Sequence, residues 1–176
     1  MPSLSRIAAA SLLFLALGAG SLEAQQRNFT VGVSGGAVFP VGDLSDLFET
    51  GLQVGGLVET ASLGGLPFGV RGEADYLTFS EGALSSRFLS GRVNAVLPFM
   101  TAPDARPYFI AGAGLYNVRF ETGASDTSDS RVGINAGVGI NYAIGGLNTF
   151  VEGRFHNVFT DDDSLRFIPL TIGIRF

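Results

Sequence analysis

Residues 165–176 read LRFIPLTIGIRF. From Ile168 onward, Ile168, Leu170, Ile172, Ile174 and Phe176 share one face, and Phe167, Pro169, Thr171, Gly173 and Arg175 the other. Successive side chains of a β-strand point to opposite faces, so this period of two marks a strand. A strand in a soluble sandwich alternates too, and alternation alone does not place it. The unbroken apolar face decides: it is about as long as the roughly 9 to 11 residues that a tilted strand needs to cross a bilayer, and it stops on an aromatic ring. The rest of the chain then reads as a barrel that this strand closes.

Working outward, the seventh strand, 148–159, sets Glu152, Arg154 and His156 opposite Val151, Phe155 and Phe159, and Asp161-Asp162-Asp163 follows it. Gly145-Gly146 turns tightly from a sixth strand, 131–143, which puts Val132, Ile134, Val138, Ile140 and Tyr142 opposite Arg131, Gly133, Asn135, Gly137 and Asn141. Before it, 121–130 (ETGASDTSDS) reads as a polar loop. In the fifth strand, 107–120, Tyr108, Ile110, Tyr116, Val118 and Phe120 alternate with Ala111, Ala113, Asn117 and Arg119. The aromatics fall at its ends, as the girdles of a lipid-facing surface would. The fourth strand, 87–98, turns Ser90, Arg92 and Asn94 away from Leu89, Val93, Ala95 and Leu97. The third, 68–79, opposes Arg71, Glu73 and Asp75 to Phe68, Val70, Ala74 and Tyr76. A hairpin closed about the 80–86 loop sets Arg92 across from Glu73 or Asp75, within cross-strand pairing distance. The second strand is 52–60, with Leu52, Val54 and Val58 out and Gln53, Gly55 and Glu59 in; the first is 29–39, and residues 43–49 between them allow one helical turn. Pro169 cannot donate to a ladder, so a bulge or a water is expected beside it.

These eight segments join as neighbouring hairpins: an all-β, eight-stranded antiparallel up-and-down barrel over residues 25–176. An even strand count brings both ends to one side, the periplasmic one. The interior of eight strands is just filled by side chains. With the apolar face inside, every Ile, Val, Tyr and Phe named above would crowd the tube. With the polar face inside, the lumen holds Gly, Ser, Asn and charges of both signs that neutralise one another. The expected lumen network is Arg71, Glu73, Asp75, Arg92, Asn94, Arg119, Glu152, Arg154 and His156, and the apolar face meets lipid.

Composition agrees. After residue 20 no apolar run approaches the roughly 18 to 20 residues of a spanning helix. Residues 1–24 read as a cleaved signal peptide, with Arg6 before the apolar stretch IAAASLLFLALGAG and cleavage expected after Ala24. The chain has no cysteine, hence no disulfide, thiol nucleophile or acylated lipid anchor. A net charge of −5 and the lack of lysine argue against a nucleic-acid partner.

With the segments Phe39-Pro40-Val41-Gly42-Asp43-Leu44 and Tyr108-Phe109-Ile110-Ala111-Gly112-Ala113-Gly114-Leu115 and the terminal Phe176, the chain resembles the small outer-membrane β-barrel family, whose OmpA-like and OmpX-like domains are its best-known shape. That resemblance implies residence in the outer membrane among its lipids. It also implies recognition of the last strand, through Ile172, Ile174 and Phe176, by the barrel-assembly machinery. With the closing strand read as ending at Phe176, no peptidoglycan-binding domain is expected, and a tethering role is not carried over from the resemblance.

Chemistry has thin support. The single histidine, His156, shares a face with Glu152 and Arg154, but no serine stands near it in the arrangement of deacylating barrels, so a hydrogen-bonding role in the lumen is expected and no catalytic residue is assigned. Asp126, Asp129 and Asp161-Asp162-Asp163 match no calcium-loop spacing and read as a solvated acidic rim, leaving metal and cofactor sites unassigned. The expected molecule is a monomeric barrel with a structural or surface-interaction role. The alternatives are a narrow gated channel, with the lumen ion pairs as its gate, and then a lipid-modifying enzyme.

Overall fold

The computed structural model describes residues 29–46, 48–62, 66–81, 84–100, 105–122, 125–160 and 163–176. The expected signal peptide, 1–24, and Asp161 and Asp162 lie outside them. Eight strands, β1 (Phe29–Val41), β2 (Gly51–Thr60), β3 (Gly69–Glu81), β4 (Leu84–Pro98), β5 (Ala105–Thr122), β6 (Ser125–Ile144), β7 (Leu147–Phe159) and β8 (Ser164–Arg175), pair in sequence order. β8 pairs antiparallel with β1 and closes the barrel. Phe176 completes that seam, its backbone N–H donating to the Val31 carbonyl at 2.8 Å. Both β1 and β8 have their free ends at one mouth, the termini end; the other mouth is the loop end.

The faces fall as the alternation requires. Val33, Leu52, Val54, Leu89, Val93, Ile134, Val138, Leu170 and Ile172 are all exposed on the outside. On β4 the outward apolar residues run from Leu89 to Leu97, roughly 26 Å of strand at about 3.3 Å per residue, which at a tilt of about 40° covers roughly 20 Å, most of the roughly 25 Å apolar band of an outer-membrane barrel. No helix among the described residues is long and apolar enough to cross a membrane, a statement that leaves strands aside.

Besides the expected 80–86 loop, which is strand through Glu81 and again from Leu84, three details depart from the sequence reading. The polar stretch 121–130 is largely strand: β5 and β6 stay paired to Thr122↔Ser125. Beyond the lipid both faces of a hairpin meet water, so Ser, Thr and Asp on both sides no longer argue against pairing. Pro169 causes neither a bulge nor a slip. The β7–β8 ladder skips from Gly153↔Leu170 to His156↔Phe167 and resumes in the same register, while Val38↔Pro169 on the other side stays paired. The missing N–H thus interrupts one ladder locally.

The third departure is β5, whose faces are inverted. Tyr108, Ile110, Tyr116 and Val118 are buried in the lumen, and Phe109 and Leu115 face out. Gly139, the cross-strand partner of Tyr108, makes this possible: a Cβ there would run into the Tyr108 ring. At the termini end Gly145 and Gly146, with φ of +58° and +85°, form the tight turn between β6 and β7. At the loop end a 3-10 turn, Gly42–Asp46, follows β1 where one helical turn was expected.

Candidate functional site: the ionic lumen

Inward positions on β2, β3, β4, β7 and β8 converge at mid-barrel. Glu73 sits opposite Arg92 in register, one of the two partners that the hairpin closure allowed. Its main partner is instead Arg154, across the lumen on β7, which forks onto it with Nη1 to Oε2 at 2.6 Å and Nη2 to Oε1 at 2.5 Å. Asn94 Nδ2 donates to the same carboxylate at 2.6 Å. Arg154 Nε also donates to Glu152. The Glu152 carboxylate further accepts from Arg71 Nη1 and from the Tyr108 hydroxyl, each at 2.7 Å.

Two ends of this cluster extend it. Toward the loop end, Arg92 pairs with Asp75, whose other oxygen accepts from Gln53 Nε2 at 2.7 Å. Arg92 Nη1 also lies 3.1 Å from His156 Nε2, and the Tyr116 hydroxyl 2.9 Å from His156 Nδ1. Arg92 Nη1 is 3.4 Å from Nδ1 as well, and since a guanidinium only donates, the ring nitrogen that accepts from it and the direction of the bond with Tyr116 are set together by the tautomer. Toward the termini end, Arg71 Nε pairs with Glu59 at 2.5 Å, Arg175 lies 3.6 Å from the same carboxylate, and the Arg175 guanidinium stacks over the Phe150 ring at 4.7 Å.

Charge balance follows. Glu59, Glu73, Asp75 and Glu152 face Arg71, Arg92, Arg154 and Arg175, four of each sign and no net charge. Ions at low dielectric lose hydration worth several kcal/mol each, so such a set survives only when the charges offset one another at hydrogen-bond distance. Between the pairs lies a chamber of about 10 Å³, lined by Ser34, Gln53, Arg92, His156, Pro169 and Thr171. That is the room of a single water.

Of the expected network, Arg71, Glu73, Asp75, Arg92, Asn94, Glu152, Arg154 and His156 come together here. Arg119 does not: it is exposed on the outer face of β5, opposite Arg87 on β4. Glu59 and Arg175 join the set and were legible as inward residues of their strands, but Tyr108 and Tyr116 were assigned to the wrong face. Ile172 and Phe176, of the expected assembly signal, stand exposed to lipid, with Ile174 partly so.

The loop-end half of the lumen is different in kind. Val38, Leu44, Phe48, Leu77, Phe79, Phe88, Tyr116, Val118, Val158 and Phe167 form an apolar cluster. Its rings run edge to face from Phe79 to Phe88 at 5.6 Å and on to Phe167 at 5.8 Å, and Phe167 stacks on His156 at 4.9 Å. The 3-10 turn lowers Leu44 into the mouth, and Phe48 follows against Phe79. At the termini end the lumen instead opens into a vestibule of about 390 Å³ bordered by Thr30, Glu59, Arg106, Tyr142, Thr149 and Arg175.

Comparison with known proteins agrees with this architecture. The family profile described as outer membrane protein beta-barrel domain matches residues 9–176. Among solved structures, Neisserial surface protein A superposes with a TM-score of 0.66 at 17% identity, covering 84% of this chain and 96% of that one. The N-terminal β-barrel domain of Pseudomonas aeruginosa OprF gives 0.54 at 17% identity over 86% and 100% of the two chains. A major outer membrane protein of Thermus thermophilus gives 0.51 at 15% over 84% and 99%. At such identities the likeness is one of fold. No curated protein matches the sequence significantly.

Proposed function

The chain belongs to the outer membrane protein beta-barrel domain family, and from that premise we propose that it acts as a closed, non-enzymatic barrel with a structural or surface-interaction role in the envelope. One observation carries this reading: the lumen is blocked twice in series, by the neutral ionic cluster at mid-barrel and by the aromatic plug beyond it. An eight-stranded tube has room for side chains and little else. His156 supports the non-catalytic part, since it is fully buried and its ring nitrogens are taken by Arg92 and Tyr116. In this reading the termini end is periplasmic, the loop end faces outside, and the barrel works as a monomer. The exported form lacks residues 1–24, and the assembly machinery reads Ile172, Ile174 and Phe176.

Planar-bilayer recording of the purified barrel tests the proposal. It expects a silent membrane after insertion verified by heat-modifiable gel mobility; a steady current from the unmodified protein would overturn it. A narrow gated channel is the second reading, favoured by the vestibule that already opens half the path to the cluster. In that case current appears in bursts, and Arg92→Ala changes it.

A further inference from the structure

The vestibule at the termini end carries more positive charge than the lumen behind it offsets. The balanced set of four arginines and four carboxylates already counts Arg175, and Arg106 stands outside it. Arg106 shares the inward parity of Tyr108 and Ile110 on β5 and is exposed at the rim. Among the described residues no carboxylate pairs with it. Arg175, on the same vestibule, is the one guanidinium of the balanced set with no carboxylate within hydrogen-bond distance. Its Nη1 stops 3.6 Å from Glu59, which also borders the vestibule but is already held by Arg71 Nε at 2.5 Å.

The remaining nitrogens of Arg175, Nε and Nη2, are buried without a hydrogen-bond partner among the described residues. They lie on one edge of the planar group, the edge that grips a carboxylate at two points. The rings of Phe150, at 4.7 Å, and Tyr108, at 5.9 Å, support the cation from its faces and leave that edge unused. Asn141, the cross-strand partner of Arg106, borders the same space, and its side-chain oxygen is buried with no donor. Buried polar groups are nearly always hydrogen-bonded, so open donors and an open acceptor about one cavity point to a ligand. Val96, Pro98 and Met100 give the cavity an apolar side. Its volume of about 390 Å³ exceeds what a bare ion needs and falls in the range of small-molecule sites, roughly 300 to 1,000 Å³.

We propose that the vestibule binds a small organic acid, its carboxylate on Arg175 and Arg106, a donor group on the Asn141 oxygen and its apolar part against Val96, Pro98 and Met100. The surplus cations select an anion, and the size and apolar side of the cavity select one with a carbon skeleton. This goes beyond the closed-barrel reading: the acid enters from the termini end and stops at the ionic cluster, whether or not the lumen conducts. Arg166, exposed at the opposite mouth on β8, supplies an internal control.

Calorimetric titration of the full barrel in a nonionic detergent tests the site, with N-acetylleucine as the probe because it joins a carboxylate, an amide N–H and an apolar chain. It is expected to bind about tenfold tighter than either its neutral carboxamide or acetate. Arg106→Gln should weaken it about tenfold, and Arg175→Lys, which keeps the charge but loses the two-point edge, by a similar factor. Arg166→Gln leaves it unchanged. No binding by the unmodified barrel overturns the site, as does full affinity in both vestibule variants. Equal affinity for the carboxamide overturns the carboxylate assignment; equal affinity for acetate, or full displacement by inorganic phosphate at equal concentration, overturns the organic skeleton. Heat-modifiable mobility is read on every sample so that a lost affinity is scored only on a closed barrel. Arg106, exposed at the rim and outside the ionic cluster, keeps the test decisive should Arg175→Lys fail to fold.

Discussion

The two halves of the lumen answer the same packing problem with opposite chemistry. At mid-barrel and toward the termini end, strands of small residues enclose long charged side chains that reach across the tube. Toward the loop end, strands facing the same interior enclose phenylalanines that pack on their neighbours. The ionic half has a unique solution, because each guanidinium fits only the carboxylates placed for it. The aromatic half is tolerant, since edge-to-face rings gain about 0.5 to 1.5 kcal/mol a pair over a broad range of geometry. The difference teaches that inward does not mean polar in a small barrel: it means shielded from lipid.

The largest expected effect comes from Arg154→Ala. It strips Glu73 of both forked bonds and Glu152 of one, leaving buried charge uncompensated, and destabilises by about 3 to 5 kcal/mol in urea unfolding from lipid vesicles. Arg154→Lys should restore less than half, because a point charge does not span both Glu73 oxygens. If Arg154→Ala costs under about 1 kcal/mol, the mid-barrel contacts hold the barrel no better than surface ion pairs, and the contrast fails. Next comes Phe167→Ala in the plug, expected to cost about 3 kcal/mol as a cavity and to respond little to salt. A third test joins the halves: Phe48→Ala with Leu44→Ala should leave bilayers silent, because the Phe79, Phe88 and Phe167 rings and the ionic cluster still block the path. Adding Arg92→Ala should keep them silent because Arg154 still reaches Glu73 across the lumen; a current from the triple variant would break the picture of two blocks in series. Smaller still, Pro169→Ala restores an N–H and should complete the β7–β8 ladder, stabilising by about 0.5 to 1.5 kcal/mol and slowing amide exchange at the neighbouring positions.

The mildest effect lies at the plug's outer edge. Asp43, in the 3-10 turn, is shifted upward by its hydrogen bond with Asp163, and Asp163 is shifted downward by the Ser164 backbone N–H. A raised carboxyl binds its proton more readily when folded, so its contribution is present at low pH and fades as pH rises through the folded value. Asp163 has the opposite sign and loses its contribution as pH falls through its lowered value. Between the two, in a window about the ordinary aspartate value of 3.8, the turn is held best. Protection of the Phe48 amide, which donates to the Leu44 carbonyl at 3.1 Å, should peak there and lose the peak in Asp43→Asn.

Much of this was legible in the sequence. Period-two alternation marked all eight strands, and closure about 80–86 narrowed the partner of Arg92 to Glu73 or Asp75, of which the register takes Glu73. What misled was β5. Its polar markers, Asn117 and Arg119, sit where the outer face has already left the lipid, so they carried no information about the lumen. Tyrosine is equally ambiguous, since its ring suits a membrane girdle and its hydroxyl suits a buried carboxylate. The glycines opposite it held the usable signal: Gly139, like Gly137 beside Arg154, marks where a large inward group crosses. The plug escaped notice because Leu77, Phe79 and Phe88 were assigned to no face, so Phe167, placed inward by its parity, stood there without the rings it packs on.

The bonds from Arg71 to Glu152 and from Glu73 to Arg154 each bridge 81 positions of chain. Neither can exist in a half-made sheet, however well its first four strands have paired. Until β7 arrives, Arg71 lacks Glu152 and keeps Glu59, while Glu73 lacks Arg154 and has Arg92 no nearer than 3.8 Å, so the cluster is incompletely paired and costly to bury in hydrocarbon. Full neutralisation of the centre is thus expected only when the cylinder is nearly complete, with β7 in place.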